Sequence, residues 1–168
     1  MRVLVAYADD DGAAADTANL IGATLGLHGL DSVVRPVDTG TSGAVDGFDA
    51  VVLGSTARGG HWPRCAVRFA TSQRQRLRRV PVWLFSNSPA GDAVTPEHEI
   101  DISAVEDAVE PLDHRPFLAA QPPPHHWAPH ALEPDPGEVR GWAHQIATAL
   151  AVSDAPGTKV PGGRAAIP

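Results

Sequence analysis

Three consecutive carboxylates, Asp9, Asp10 and Asp11, stand directly before Gly12-Ala13-Ala14 and directly after Val3-Leu4-Val5-Ala6-Tyr7-Ala8. The apolar run reads as a buried parallel strand, and residues 13–28 read as a helix. The connection between the first strand and first helix of an α/β protein is where phosphate groups usually sit, on backbone N–H groups at a positive helix end. The place suits an anion and the side chains do not. Three acids repel a phosphate, and no Ser or Thr occurs between Ala8 and Asp16. The same acids could hold a cation, but acids in such a loop more often cap a helix start or stay solvated. Asp16 and Thr17 supply no replacement, because the pattern puts them inside the helix.

Other reactive side chains are weaker signals. His125, His126 and His130, with Asp113-His114 upstream, make a local histidine tract of the kind that binds zinc, copper or nickel. Pro122, Pro123, Pro124 and Pro129 break any regular ligand spacing there, so the tract reads as a Pro/His loop around Trp127 and no metal site is assigned. Cys65 lies between Arg64 and Arg68, surroundings that suit a reactive thiol. No His or Asp follows at a recognisable spacing, and Val67 and Phe69 beside it favour a packing role. No GxGxxG, Walker loop, GxSxG or CxxC occurs, so dinucleotide, nucleoside triphosphate and hydrolase readings have no motif behind them.

Charge is unevenly spread over the 168 residues. Residues 56–80 carry seven arginines (58, 64, 68, 74, 76, 78, 79) and no acid, while the segments before and after carry −6 and −8, for a net −7. Such a block could meet an acidic partner, but a solvated helix face is the simpler reading. No aromatic residues interleave with the arginines, so a nucleic-acid groove is not expected. No apolar stretch nears the ~20 residues that span a bilayer. The start Met1-Arg2-Val3 enters a strand without a signal-peptide pattern, and a single cysteine fits a reducing cytoplasm.

Five strands alternating with helices would position these groups. The strands read as residues 3–7, 32–37, 50–54, 80–85 and 115–120. Arg35 and Pro36 mark the second as an edge. The first helix buries Ala14, Ala18, Ile21 and Leu25 at helical spacing and stops at Gly29. The arginine-rich helix begins near Pro63 and buries Ala66, Phe69, Ala70 and Leu77. A short helix covers residues 100–109, and a last one after Pro136 buries Val139, Trp142, Ala143, Ile146 and Leu150. Residues 121–135 hold five prolines and no regular pattern. The expected fold is a three-layer α/β sandwich with a parallel sheet ordered 2-1-3-4-5, over residues 1–152, with residues 153–168 as a loose tail. Its crevice is lined by the loops after strands one, three and four.

The stretches Val3-Leu4-Val5-Ala6-Tyr7-Ala8, Gly47-Phe48-Asp49-Ala50-Val51-Val52-Leu53-Gly54-Ser55, Gly60-His61-Trp62, Val82-Trp83-Leu84-Phe85-Ser86, Asp113-His114-Arg115 and Trp142 resemble, in combination, flavodoxin-domain proteins. The type is the actinobacterial one related to flavodoxin-like protoporphyrinogen oxidases. That resemblance implies the flavodoxin-like fold, FMN as cofactor and an electron-transfer or oxidoreductase role with a redox or regulatory protein partner. It implies three cofactor-binding loops: Ala8, Asp9, Asp10, Asp11, Gly12 and Ala13; then Ser55, Thr56, Arg58, Gly60 and Trp62; then Ser86, Asn87, Ser88 and Gly91. In the first, the family's hydroxyl positions hold Asp and Ala. In the second, Arg58 and Gly59 replace the aromatic residue expected before Gly60. FMN binding is therefore expected to be weakened or lost; the alternative is a flavin-free binding or regulatory module acting through protein partners. Trp62 either stacks on a flavin or covers the end of the sheet. His114 is read as structural or near the flavin side, and no catalytic residue is assigned.

Overall fold

The computed structural model describes residues 1–8, 12–37, 44–88, 100–118 and 134–153. The strands are β1 (Arg2–Ala8), β2 (Asp31–Pro36), β3 (Ala50–Thr56), β4 (Val82–Ser88) and β5 (Asp113–Leu118). All neighbours pair in parallel, in the order β2-β1-β3-β4-β5. β2 is an edge strand, as Arg35 and Pro36 suggest.

Alternate residues of each buried strand feed opposite faces, the period-two rule of a strand. Val3, Val5, Val52, Trp83, Phe85 and Phe117 meet α1 (Ala13–Leu27) and α5 (Pro136–Ser153). Leu4, Ala6, Val51, Leu53, Val82 and Leu84 meet α2 (Arg64–Ser72), α3 (Arg74–Leu77) and α4 (Ser103–Val109). The stripes expected of α1, α2 and α5 are the buried ones, and Cys65 packs half-buried against the second core. Every arginine of α2 and α3 is exposed, which matches a solvated face. No helix among the described residues is long and apolar enough to cross a membrane.

On the α1/α5 side one aromatic line ties the sheet together. The Phe85 ring lies across Gly54, the position opposite it on β3. Phe85 meets Phe117 at 6.4 Å, and Phe117 meets Trp142 edge-on at 5.7 Å. Trp142 Nε1 donates to Asp113 Oδ2 at 2.8 Å, which satisfies the one polar atom of the indole.

Several boundaries differ from the sequence reading. β3 and β4 run two and three residues further than their apolar cores, to Thr56 and Ser88. β4 starts after Val80-Pro81. β5 begins at Asp113 rather than at residue 115, because Leu112 N–H bonds Val82 C=O and brings Asp113 alongside Trp83. The arginine-rich helix divides at Gln73 into α2 and α3. Thr71 Oγ1 donates back to Val67 C=O at 2.8 Å and Ser72 Oγ to Phe69 C=O at 3.0 Å, contacts that loosen a last turn. Pro63 stands one place outside α2, as its extended N-cap (φ −63°, ψ 151°). α4 starts at Ser103, whose N–H and hydroxyl both donate to Asp101 Oδ1 just before it. The histidine tract and the end of the fifth strand beyond residue 118 lie outside the described residues, and α5 runs through Ser153, just past the expected boundary.

Candidate functional site

The connections leaving β1 and β3 part at the switch point of this strand order, and a cavity of about 300 Å³ lies at these strand ends. Ala8, Ser55, Thr56, Arg58, His61, Trp62, Pro63 and Arg64 line it. Five residues expected to bind a cofactor meet at this cavity or in its wall: Ala8, Ser55, Thr56, Arg58 and Trp62. The sequence reading did not single out His61, Pro63 and Arg64, although all three follow directly from the same loop. Ser55 and Thr56 belong to β3 rather than to a loop. Ser55 Oγ donates to Ala8 C=O at 3.0 Å and so clasps the two strand ends.

The turn after β3 is a built hairpin. Arg58 and His61 exchange both backbone hydrogen bonds at 3.1 Å around Gly59 and Gly60, which have φ of +55° and +78°. Two consecutive positive φ values are the type I′ requirement that glycine meets without strain. Gly60 C=O then accepts from Asp101 N–H at 2.7 Å. Asp101 Oδ1 accepts from both Ser103 N–H and Ser103 Oγ, and these bonds hold its carboxyl below the usual range, with a smaller contribution from His61. The hairpin is thereby fixed to the entry of α4.

Trp62 covers the end of the sheet rather than standing free. It is 6% exposed, and its Nε1 donates to Ser86 Oγ at 2.7 Å. Ser86 Oγ also lies 2.8 Å from His114 Nε2. An indole N–H can only donate, so Ser86 accepts from Trp62, while the direction of its bond with His114 Nε2 is set by the imidazole tautomer. His114 Nδ1 faces Glu106 Oε1 at 3.9 Å, beyond hydrogen-bond reach. Ser86 is fully buried and His114 half-buried, so the hydroxyl itself is closed off from solvent.

Burial holds the His114 pKa below its ordinary 6.5, and the charge of Asp113 opposes this in part. The sign follows from linkage. Below pH 6.5 the unfolded chain takes up the proton first, so this stability is complete above that pH and is lost as pH falls toward the folded pKa. The urea midpoint between pH 7.5 and 5.5 should fall less steeply in His114→Gln than in the wild type. Equal slopes in the two proteins would refute a neutral, buried His114.

The third group of expected site residues lies on β4. Asn87 Nδ2 donates to Ala13 C=O and to Thr17 Oγ1, both at 2.8 Å, joining β4 to the start of α1. Thr17, expected to sit inside the helix, is there and is buried, with its hydroxyl turned to Asn87 rather than to the crevice. Asn87 Oδ1 is buried without a hydrogen-bond partner among the described residues. Ser88 is the last residue of β4, opposite Leu118. Gly12 occupies the N-cap of α1 in the left-handed region (φ +96°), and a Cβ there would meet nothing within 4 Å. Asp9, Asp10, Asp11 and Gly91 lie outside the described residues. Among the described residues no three His, Cys, Asp or Glu side chains converge as metal ligands.

Comparison with known proteins agrees with this architecture. A family model described as a flavodoxin domain matches residues 4–119. A mutant of flavodoxin from Pseudomonas aeruginosa superposes with a TM-score of 0.64 at 15% identity, covering 90% of this chain and 99% of its own. Oxidised flavodoxin 2 from Bacillus cereus gives 0.59 at 19% identity, covering 91% and 99%. Rubredoxin oxygen:oxidoreductase from Desulfovibrio gigas gives 0.66 at 12% identity, and there the match covers 92% of this chain but 37% of the larger one. No curated protein matches the chain. With the family pattern running from β1 to β5 and the 2-1-3-4-5 sheet observed directly, the chain belongs to the flavodoxin-domain family.

Proposed function

We propose that this domain is an electron carrier of the flavodoxin type whose hold on the FMN phosphate is weak. The observation that carries the reading is the cavity at the ends of β1 and β3, the point where an open α/β sheet takes its ligand. Its lining fits a flavin. Ser55, Thr56 and Arg58 put polar groups in that lining and Trp62 an indole edge; outside the lining, on β4, Asn87 Oδ1 is a buried acceptor with no partner among the described residues. Gly12 brings side-chain-free backbone to the start of α1. A bound flavin would supply the electron transfer; the chain would supply the seat and the field around it. Arg58 and Arg64 at the cavity offset some of the acidic charge contributed by residues 9–11.

FMN and riboflavin differ by the phosphate alone, so comparing them isolates the acidic connection. Titrating each while following tryptophan fluorescence should give dissociation constants within about tenfold of one another, about 1.4 kcal/mol. A protein purified with stoichiometric FMN, or one binding FMN far more tightly than riboflavin, would sink the weak-phosphate part. Binding of neither would sink the flavin reading.

A second reading, a flavin-free module acting through protein partners, is favoured by one observation. Arg64, Arg68 and Arg74 on α2 and α3, and Arg79 in the turn after them, are exposed and make no ion pair among the described residues, whereas Arg76 and Arg78 pair with Asp46 and Glu110. That face suits an acidic protein surface, and such an association would weaken steeply with salt.

A further inference from the structure

On the side of the molecule served by α1 and α5, two imidazoles from distant parts of the chain converge. His28 Nε2 and His144 Nδ1 are 3.0 Å apart, with ring centroids 4.7 Å apart and planes inclined by 51°. His28 is the C-cap of α1, and His144 lies on α5. Both are exposed. We infer that His28 and His144 form a two-imidazole site for a divalent ion of the zinc, copper and nickel class, bridging α1 and α5.

Three features carry this. The first is the spacing. Two nitrogens bound to one ion at about 2.0–2.1 Å stand about 2.9 Å apart at a right angle and about 3.4 Å apart at the tetrahedral angle. The observed separation lies in that interval, so neither helix has to move; the rings need only swing until both lone pairs meet the ion. The second is the field. α1 ends with Gly29 (φ +78°) in the left-handed region and Leu30 N–H bonded to Leu25 C=O, a Schellman closure. The negative end of the helix dipole is therefore at His28, and no basic residue stands in the last turn to neutralise it. The third is ligand chemistry. Imidazole suits zinc, copper and nickel and does not suit magnesium, whose preference is for oxygen. Water completes the coordination, because both rings face solvent.

Binding needs no net proton loss from the neutral pair. One of the two facing nitrogens carries a hydrogen in the metal-free contact, and that ring shifts its proton to its other nitrogen when the ion binds. The ion holds together residues 116 positions apart. It therefore binds the folded chain better than the unfolded one and raises thermal stability in proportion to its affinity.

Tag-free full-length protein titrated with Cu²⁺ and with Zn²⁺, by calorimetry and by thermal unfolding, tests the site. His28→Ala and His144→Ala should each weaken one binding equivalent about 10²-fold, since either leaves a single ligand, and each should abolish the metal-induced rise in Tm. Metal-free Tm values close to wild type would show that both variants fold. A third variant, with His125, His126 and His130 all replaced by Ala, should retain that equivalent and the Tm rise. The inference is overturned if metal binding and the Tm rise persist in both single variants, if they vanish only in the triple variant, or if Mg²⁺ reproduces them.

Discussion

Replacing Asp9, Asp10 and Asp11 together with Ser, Thr and Thr should tighten FMN binding by about 10²- to 10³-fold while leaving riboflavin binding unchanged. Ala8 is in the cavity wall and Gly12 begins α1, so four peptide steps join them, and those steps reach at most about 14 Å. A phosphate bound at that helix end would share this short connection with three acidic residues. Two unit charges 4 Å apart repel by about 1 kcal/mol in water and about 4 kcal/mol at an effective dielectric of 20. Exposed carboxylates that turn to solvent feel the lower figure, so three of them cost about 3 kcal/mol, or about 10²-fold in affinity. Hydroxyl donors to a charged acceptor add about 1.5–3 kcal/mol for each bond actually made. Fluorescence titrations at low and high salt would check this, because the electrostatic share should shrink as salt rises. An unchanged FMN affinity in the triple variant would defeat the explanation.

Gly54→Val should destabilise the fold by about 3 kcal/mol or more, lowering Tm by roughly 6–12 °C. Gly54 sits in the centre of β3, where any larger residue would normally favour a strand. Here a Cβ would be driven into Cε1, Cζ and Cδ1 of Phe85. Phe85 cannot retreat, being fully buried and held against Phe117, which in turn meets Trp142. The coupling is testable as a cycle with Gly54→Ala and Phe85→Leu. Trimming the ring makes room, so the double variant should lose less stability than the two single losses added together. Strict additivity would mean that the ring does not limit residue size at position 54.

The fold was readable because its apolar pattern is nearly unbroken. β1, β3 and β4 are runs that only a doubly covered parallel sheet would bury, and the helical stripes of α1 and α5 are complete. The strand ends were less readable, for a reason linked to function. Ser55, Thr56, Ser86, Asn87 and Ser88 look like loop residues, and polarity ended β3 and β4 early on paper. In the structure they stay in the ladder, because Ser55 pairs with Ser86 and Thr56 with Asn87, and their side chains reach Ala8, Trp62, Ala13 and Thr17. The bond from Trp62 to Ser86 left no sequence signal, since Ser86 is remote in sequence. His114 meets Ser86 only because β4 and β5 are parallel in this register; the pairing of Leu84 with His114 sets that diagonal. The His28–His144 contact left no sequence signal, because it depends on α1 docking beside α5.

The bond from Asp101 N–H to Gly60 C=O bears on how this domain could be remodelled. Position 88 ends β4, and position 101 is moored to the β3 hairpin, so whatever joins them begins and finishes at two fixed points. For a chain closed between fixed points, doubling the length of a flexible insert costs only about 0.6 kcal/mol. A change in the length of that interval is therefore expected to leave β4 and the β3 hairpin in place. It is the natural point at which to graft a new specificity onto this scaffold.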